Sequence, residues 1–212
     1  MLKNYFKIAF RNLKKNRGFT AINIVGLAIG MAAAMLILLW VNFQYGFNKN
    51  FPKIENHYAV GSKEATDQDS ATWFSTPKPM AAVVKEEIPE VLNVSRLSGT
   101  RGFLFTIGDK KVPAGTGVFV DSAFLNMFEL PLLSGNRNTL LKDPNSIVLS
   151  EKLANNLFGT TDVLGKTIRL DSTNVLAVTG VIKETESNFI FQGYEYYVPW
   201  TLMEKLGFSD SQ

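Results

Sequence analysis

Between Phe19 and Val41 the chain reads FTAINIVGLAIGMAAAMLILLWV, 23 residues without a charged side chain and with only Thr20 and Asn23 clearly polar. No other stretch restricts the fold so tightly. At about 1.5 Å of rise per residue, a helix of this run crosses the roughly 30 Å hydrocarbon layer with room to tilt. A buried core helix would be shorter and would carry a polar stripe. A cleavable signal peptide is the other rival, because Ala32, Ala33 and Ala34 imitate a small-residue cleavage site. Cleavage there would leave MLILLWV at the new amino terminus, and the basic region ahead is long for a leader. Residues 19–41 are therefore read as an uncleaved transmembrane helix.

Charge then sets the topology. Up to Lys53 the charged residues are Lys3, Lys7, Arg11, Lys14, Lys15, Arg17, Lys49 and Lys53, with no acid before Glu55, so this segment carries +8. Of the 22 basic residues 14 remain, against all 19 acids, which leaves −5 for the rest. A basic excess beside an apolar run points to a membrane rather than to nucleic acid. Six of the basic residues precede the span, which keeps the amino terminus cytoplasmic and exports everything after Trp40. Lys14, Lys15 and Arg17 are the inner interface anchors. Trp40, with Phe43, Tyr45 and Phe47, forms the outer aromatic belt.

Residues 2–17 place Leu2, Tyr5, Phe6, Ala9 and Leu13 at helical spacing, which predicts an interfacial helix over residues 1–18 lying among lipid headgroups. Gly18 is the expected turn into the span. Within the span Gly26, Gly30 and Ala34 form a small-xxx-small row through which a partner helix can approach.

Beyond Asn56 short apolar runs alternate with amphipathic stretches. Strands are expected at Tyr58–Val60, Val91–Leu97, Phe103–Ile107, Val118–Val120 and Ser146–Leu149. A helix from Pro79 to Glu87 opens on proline, one from Asp121 to Phe128 is expected to be capped by Asp121, and one from Ser150 to Leu157 ends near Gly159. Thr167–Leu170 and Val175–Ile182 read as a hairpin around Asp171–Asn174. A weak boundary is placed near Gly99–Gly102. Hairpin-like pairs are too many for a parallel doubly wound sheet, so the fold class is α+β.

Catalytic patterns fail on spacing. Gly165-Lys166-Thr167 ends like a phosphate-binding loop, but the glycine required five positions earlier is Thr160 and Gly159 is one place too early. A turn entering a strand is the better reading. His57 is the only histidine, which rules out a His-pair metal site and leaves a surface or packing role. Glu86, Glu87 and Glu90 read as a solvated helix face, and no serine stands in G-x-S-x-G. With no cysteine there is neither a disulfide nor a thiolate ligand. The expectation is a non-enzyme without catalytic, cofactor or metal residues.

Three stretches carry a resemblance: KNYFKIAFRNLKKNRGFTAINIVGLAIG, GVFVDSAFLNMFELPLLSGN, and SIVLSEKLANNLFG followed by DVLGKTIRLD and VLAVTGVIKE. Together they resemble the amino-terminal part of a MacB/FtsX-type ABC transporter permease, especially those of Bacteroidetes. The first matches the elbow helix and first span, the others the periplasmic core domain. The resemblance implies a bacterial inner-membrane permease working by mechanotransmission, with ATP on a cytoplasmic ABC ATPase and none bound by this chain. It implies as partners a second permease subunit, the lipid bilayer and a periplasmic adaptor or cargo, and no nucleic acid. Residues 42–212 are then the periplasmic core domain, expected to be incomplete at its carboxy end and to leave an open sheet edge. The alternative is a single-pass anchored periplasmic binding or sensor module.

Overall fold

A computed structural model describes residues 2–49, 52–65, 70–170, 173–184 and 190–208. The chain forms two compact units, Met1–Lys49 and Asn50–Gln212. The first consists of α1 (Leu2–Lys15) and α2 (Arg17–Gly46). The break falls at Asn16, whose φ of −111° and ψ of 58° leave the helical region, rather than at Gly18, which lies inside α2. Side chains beyond the break make that possible. Arg17 Nε donates to the Lys14 carbonyl at 3.3 Å and Thr20 Oγ1 to the Leu13 carbonyl at 3.2 Å, serving two of the carbonyls that end α1. At 30 residues α2 outruns the apolar segment, and none of its residues is buried.

The second unit opens with a 3₁₀ turn at Ile54–Asn56 and the two-stranded hairpin β1 (Ser62–Ala65) and β2 (Ser70–Trp73). The strand expected at Tyr58–Val60 is displaced four residues onward to β1, because a ladder needs a facing strand and β2 supplies it there. Next comes α3 (Met80–Glu87), with Pro79 at its N-cap. Val91–Leu97 is extended but forms a single bridge, Leu97 to Val120. Its backbone is engaged otherwise: the Arg96 N–H donates to the Asp121 carboxylate at 2.8 Å.

The remaining elements are β3 (Arg101–Ile107), β4 (Lys110–Val120), α4 (Phe124–Met127), β5 (Leu132–Gly135), β6 (Ser146–Ser150), α5 (Glu151–Phe158), β7 (Thr167–Leu170), β8 (Asn174–Ile182), β9 (Tyr196–Pro199) and α6 (Trp200–Lys205). Asp121 does not cap α4. Ala123 holds that position, and the Asp121 carboxylate is taken by Arg96. Ser150 does cap α5, accepting from the Leu153 N–H at 3.1 Å, and Gly159 closes that helix at φ +73°. Of the expected turn at Asp171–Asn174, Asp171 and Ser172 lie outside the described residues. No division falls at Gly99–Gly102; Gly102 lies within β3, where the register with β4 shifts.

The sheet runs β5-β8-β6-β9-β4-β3-β7, and β7 also pairs with β8. Six strands therefore close into a ring, with the pairs β4–β9 and β6–β8 parallel and the others antiparallel. The strand content is mixed α+β, as expected. The open edge is not found in that form. Among the described residues the four-residue β5 is the one strand of this sheet outside the ring, on the edge of β8 that β7 also uses, and β1 and β2 form a separate two-stranded sheet.

Alternation along the ring strands sorts the core into two clusters. One parity, including Phe105, Phe119, Ile147, Leu149, Ile168, Leu176, Tyr196 and Val198, converges inside the ring with Leu153 and Leu157 of α5 and Leu202 and Met203 of α6. The other, with Val118, Val120, Val148 and Tyr197, packs outside against Phe124, Leu125, Leu140 and Phe191. The sequences GVFV, SIVLS and YYVP are apolar on both faces because both faces are buried.

The fully buried Tyr196 locks the ring. It faces Gly117 across the β4–β9 pair, and its hydroxyl donates to the Arg101 carbonyl at 2.6 Å. A Cβ on Gly117 would lie 1.8 Å from the tyrosine ring. Gly117→Ala is expected to destabilise the head by about 3 kcal/mol, the upper range for overpacking. Thermal unfolding of the detergent-solubilised chain checks this, and an unchanged midpoint would show that Tyr196 moves aside freely.

Candidate functional site

The anchor residues singled out in the sequence all lie in the first unit. Gly26, Gly30 and Ala34 are spaced four apart along one face of α2 and are exposed. Nothing lies within 4 Å of a Cβ built on either glycine. Trp40, 61% exposed, stands on the same helix. Lys14 lies 5.3 Å from the Phe10 ring centre, Lys15 ends α1, and Arg17 starts α2. Arg17 to Trp40 is 24 residues, about 35 Å of helix, which is enough to cross the roughly 30 Å hydrocarbon layer.

In the second unit the chain enters the head through Lys53, which adopts φ +56°. Ile54 then packs against the outer core cluster. His57 follows, its Nδ1 2.9 Å from the Lys53 carbonyl oxygen and its Nε2 2.9 Å from that of Met127. The imidazole stacks on Phe128, with ring centres 4.9 Å apart and planes 27° from parallel. Arg137 holds the same end of α4, donating to the carbonyls of Leu125, Glu129 and Leu130. Sequence reasoning gave His57 a packing role and missed its partners. One of them, the Met127 carbonyl, is a backbone atom 70 residues away, which no motif records.

Arg96 was also missed. Its guanidinium makes a two-point contact with Asp121, Nε to Oδ2 at 2.9 Å and Nη2 to Oδ1 at 2.6 Å. It lies 4.5 Å over the Trp200 ring, and the Trp200 indole donates to Glu204 at 3.1 Å. These contacts tie the 91–98 segment to the end of β4 and to α6.

An open cleft of about 410 Å³ lies beside the 190–195 segment, lined by Ser150, Lys152, Lys183, Glu184, Tyr194 and Tyr197 among others. Glu195 closes one wall, its carboxylate accepting the Gly115 N–H at 2.7 Å and the Thr116 N–H at 3.3 Å. Burial pushes the hydroxyls of Tyr194 and Tyr197 up, Tyr197 the more strongly and with a contribution from Tyr194. Gly165-Lys166-Thr167 is a turn into β7. Gly165, at φ +75°, donates to the Val178 carbonyl, and the Lys166 ammonium lies over Phe158. Glu86, Glu87 and Glu90 are exposed. Among the described residues no group of three His, Asp or Glu side chains is arranged to hold a metal ion.

An apolar amino-terminal helix thus precedes a head built on a closed mixed sheet. Over residues 20–211 the chain matches the family described as the MacB-like periplasmic core domain. It belongs to that family. No curated protein matches the chain. Among solved structures, the MacB-like head is similar to a domain from Porphyromonas gingivalis described as that of a permease, at 30% identity and a TM-score of 0.51, over 58% of this chain and 57% of that one. The periplasmic region of MacB from Actinobacillus actinomycetemcomitans matches at 15% identity and a TM-score of 0.47, over 61% and 59%. The extracellular domain of the noncanonic ABC-type transporter YknZ from Gram-positive bacteria matches at 22% and 0.43, over 54% and 58%. The chain thus spans under two thirds of the length of these solved domains. A MacB-like domain behind an apolar helix fits a membrane-anchored protein.

The half-buried Tyr194 and the buried Tyr197 make the stability of the MacB-like head pH dependent. In the folded head they keep their protons beyond the ordinary tyrosine range, whereas the unfolded chain releases them at about pH 10. The head therefore loses stability as pH rises above about 10. Tyr197→Phe is expected to flatten that loss between about pH 9.5 and 11 in thermal unfolding; an identical alkaline loss in the variant would remove Tyr197 as its source.

Proposed function

We propose that the chain is the amino-terminal portion of the permease subunit of a MacB/FtsX-type ABC transporter. A cytoplasmic ABC ATPase binds and hydrolyses ATP, the membrane helices of two permease subunits move, and the head changes shape to export or extract cargo already outside the inner membrane. The supporting observation is the family match over residues 20–211, joined to a helix with no buried residue and with nearly all of its large apolar side chains exposed. An exposed apolar helix of 30 residues needs lipid or other helices around it.

The charge pattern favours a cytoplasmic amino terminus and a periplasmic head, with domains at 1–18, 19–41 and 42–212. In this arrangement α1 lies in the inner interface, with Lys14, Lys15 and Arg17 at anionic headgroups and Trp40 at the outer boundary. Gly26, Gly30 and Ala34 present the face open to a helix of the second subunit. The part this chain plays is mechanical rather than catalytic, and nucleotide stays on the ATPase.

An export-dependent reporter joined after Phe208 is expected to be active, and one that works only in the cytoplasm to be silent; the opposite pattern would refute the topology. Crosslinked purification from the native cell is expected to bring down an ABC ATPase. Recovery of the chain without one would favour an anchored binding or sensor module.

A further inference from the structure

The geometry around His57 exceeds what a neutral imidazole can do. Both ring nitrogens face main-chain carbonyl oxygens at 2.9 Å, and a carbonyl oxygen only accepts. Each contact therefore needs its own N–H, and the neutral ring has one. Only the imidazolium donates to Lys53 and Met127 together. We infer that His57 is a protonation-dependent clasp fastening the chain that arrives from the membrane helix to the carboxy end of α4.

The surroundings suit a ring that donates from both nitrogens. The Met127 carbonyl closes the single turn of α4, and its oxygen faces Nε2 of the imidazole. Phe128 offers its face to the imidazole, and a charged ring stacked there gains further. The charged groups on the surrounding elements are few. The entering turn carries Lys53 and Glu55, α4 carries none, and Glu129 follows it. Arg137 is the one like charge held at this end of α4, and it is directed to other carbonyls. The 190–195 segment, which reaches the site through Phe191 on Phe128, brings Tyr194 and Glu195, and the Glu195 carboxylate is held by Gly115 and Thr116. The clasp fixes Ile54 in the outer core cluster, so it governs how firmly the entering turn is held to the head.

His57 is a positioning residue, and its role in coupling rests on the permease reading; the clasp itself does not. Because it is the only histidine, its ring signals in the full chain are unambiguous. In labelled chain in micelles, two slowly exchanging ring N–H protons are expected at about pH 5.5 and at most one at about pH 8.5. Fast solvent exchange of both at the lower pH would overturn the clasp. Hydrogen exchange supplies a second reading. Amides of residues 53–57 should be several-fold better protected at about pH 5.5 than at about pH 8.5, after correction for intrinsic rates, and His57→Phe should abolish that difference. The gap in thermal midpoint between parent and His57→Phe should be about 3 °C wider at the lower pH. A pH effect that survives in His57→Phe, or a gap independent of pH, would refute the proposal. None of these readings involves ATP, so failure of the permease reading would leave them standing.

Discussion

The closed sheet depends on one crossing, that of Tyr196 over Gly117. Parallel pairing of β4 with β9 joins two strands nearly 80 residues apart in the chain, and it brings a large aromatic ring against a backbone position with no side chain. The ring fills the inside of the barrel against Phe105 at 4.9 Å and Phe103 at 6.2 Å, and its hydroxyl satisfies the Arg101 carbonyl beside the register shift in β3. One side chain thus packs the interior, permits the close approach of two strands and absorbs the irregularity of a third. A smaller residue at 196 would leave a void, and any side chain at 117 would force the strands apart.

Local elements were legible in the sequence to the extent that their causes are local. Ser150 with Gly159 around α5 and Pro79 at the start of α3 are cap chemistry contained within a few residues, and each stands where the sequence places it. β5, β9 and α6 were not read. YYVP followed by WTLMEK has too little length for either periodicity, and it becomes strand and helix because β4, β6 and the inner core surround it. Val91–Leu97 shows the reverse failure: apolar alternation without a neighbouring strand gives an extended segment held by Asp121 and Ser98. Arg96 and His57 share this limit, because Asp121 and Trp200 lie far along the chain from the one, and the Met127 carbonyl, which has no side-chain signature, from the other.

The anchor was the most legible feature because its constraint is compositional. A helix with this many exposed Leu, Ile and Met side chains has no stable place in water, whatever the rest of the chain does. The loop break at Asn16 was less legible. Glycine was the natural suspect for a turn, yet α2 begins before Gly18, because Arg17 and Thr20 supply hydrogen bonds to the carbonyls that the end of α1 leaves open.

On the permease reading proposed above, a displacement has to enter the head somewhere and be passed on. The described side chains of residues 58–63 and 72–92 include none that is fully buried, so these stretches yield readily and are poor conductors of force. Ile54 is different. It is the first apolar residue after Lys53 to join a core, and it joins the outer cluster with Phe124 and Phe191, not the interior of the ring. From there the path inward is fixed by strand geometry. Val118 and Val120 face the outer cluster while Phe119 faces the inner one; Val148 lies outward between Ile147 and Leu149, and Tyr197 outward between Tyr196 and Val198. The outer cluster therefore shifts against the inner one only by moving β4, β6 and β9, which are bonded to one another and closed through Tyr196. Close-packed interiors transmit such a push instead of absorbing it. A pull on residues 53–57 thus reaches the ring as a motion of these three strands together.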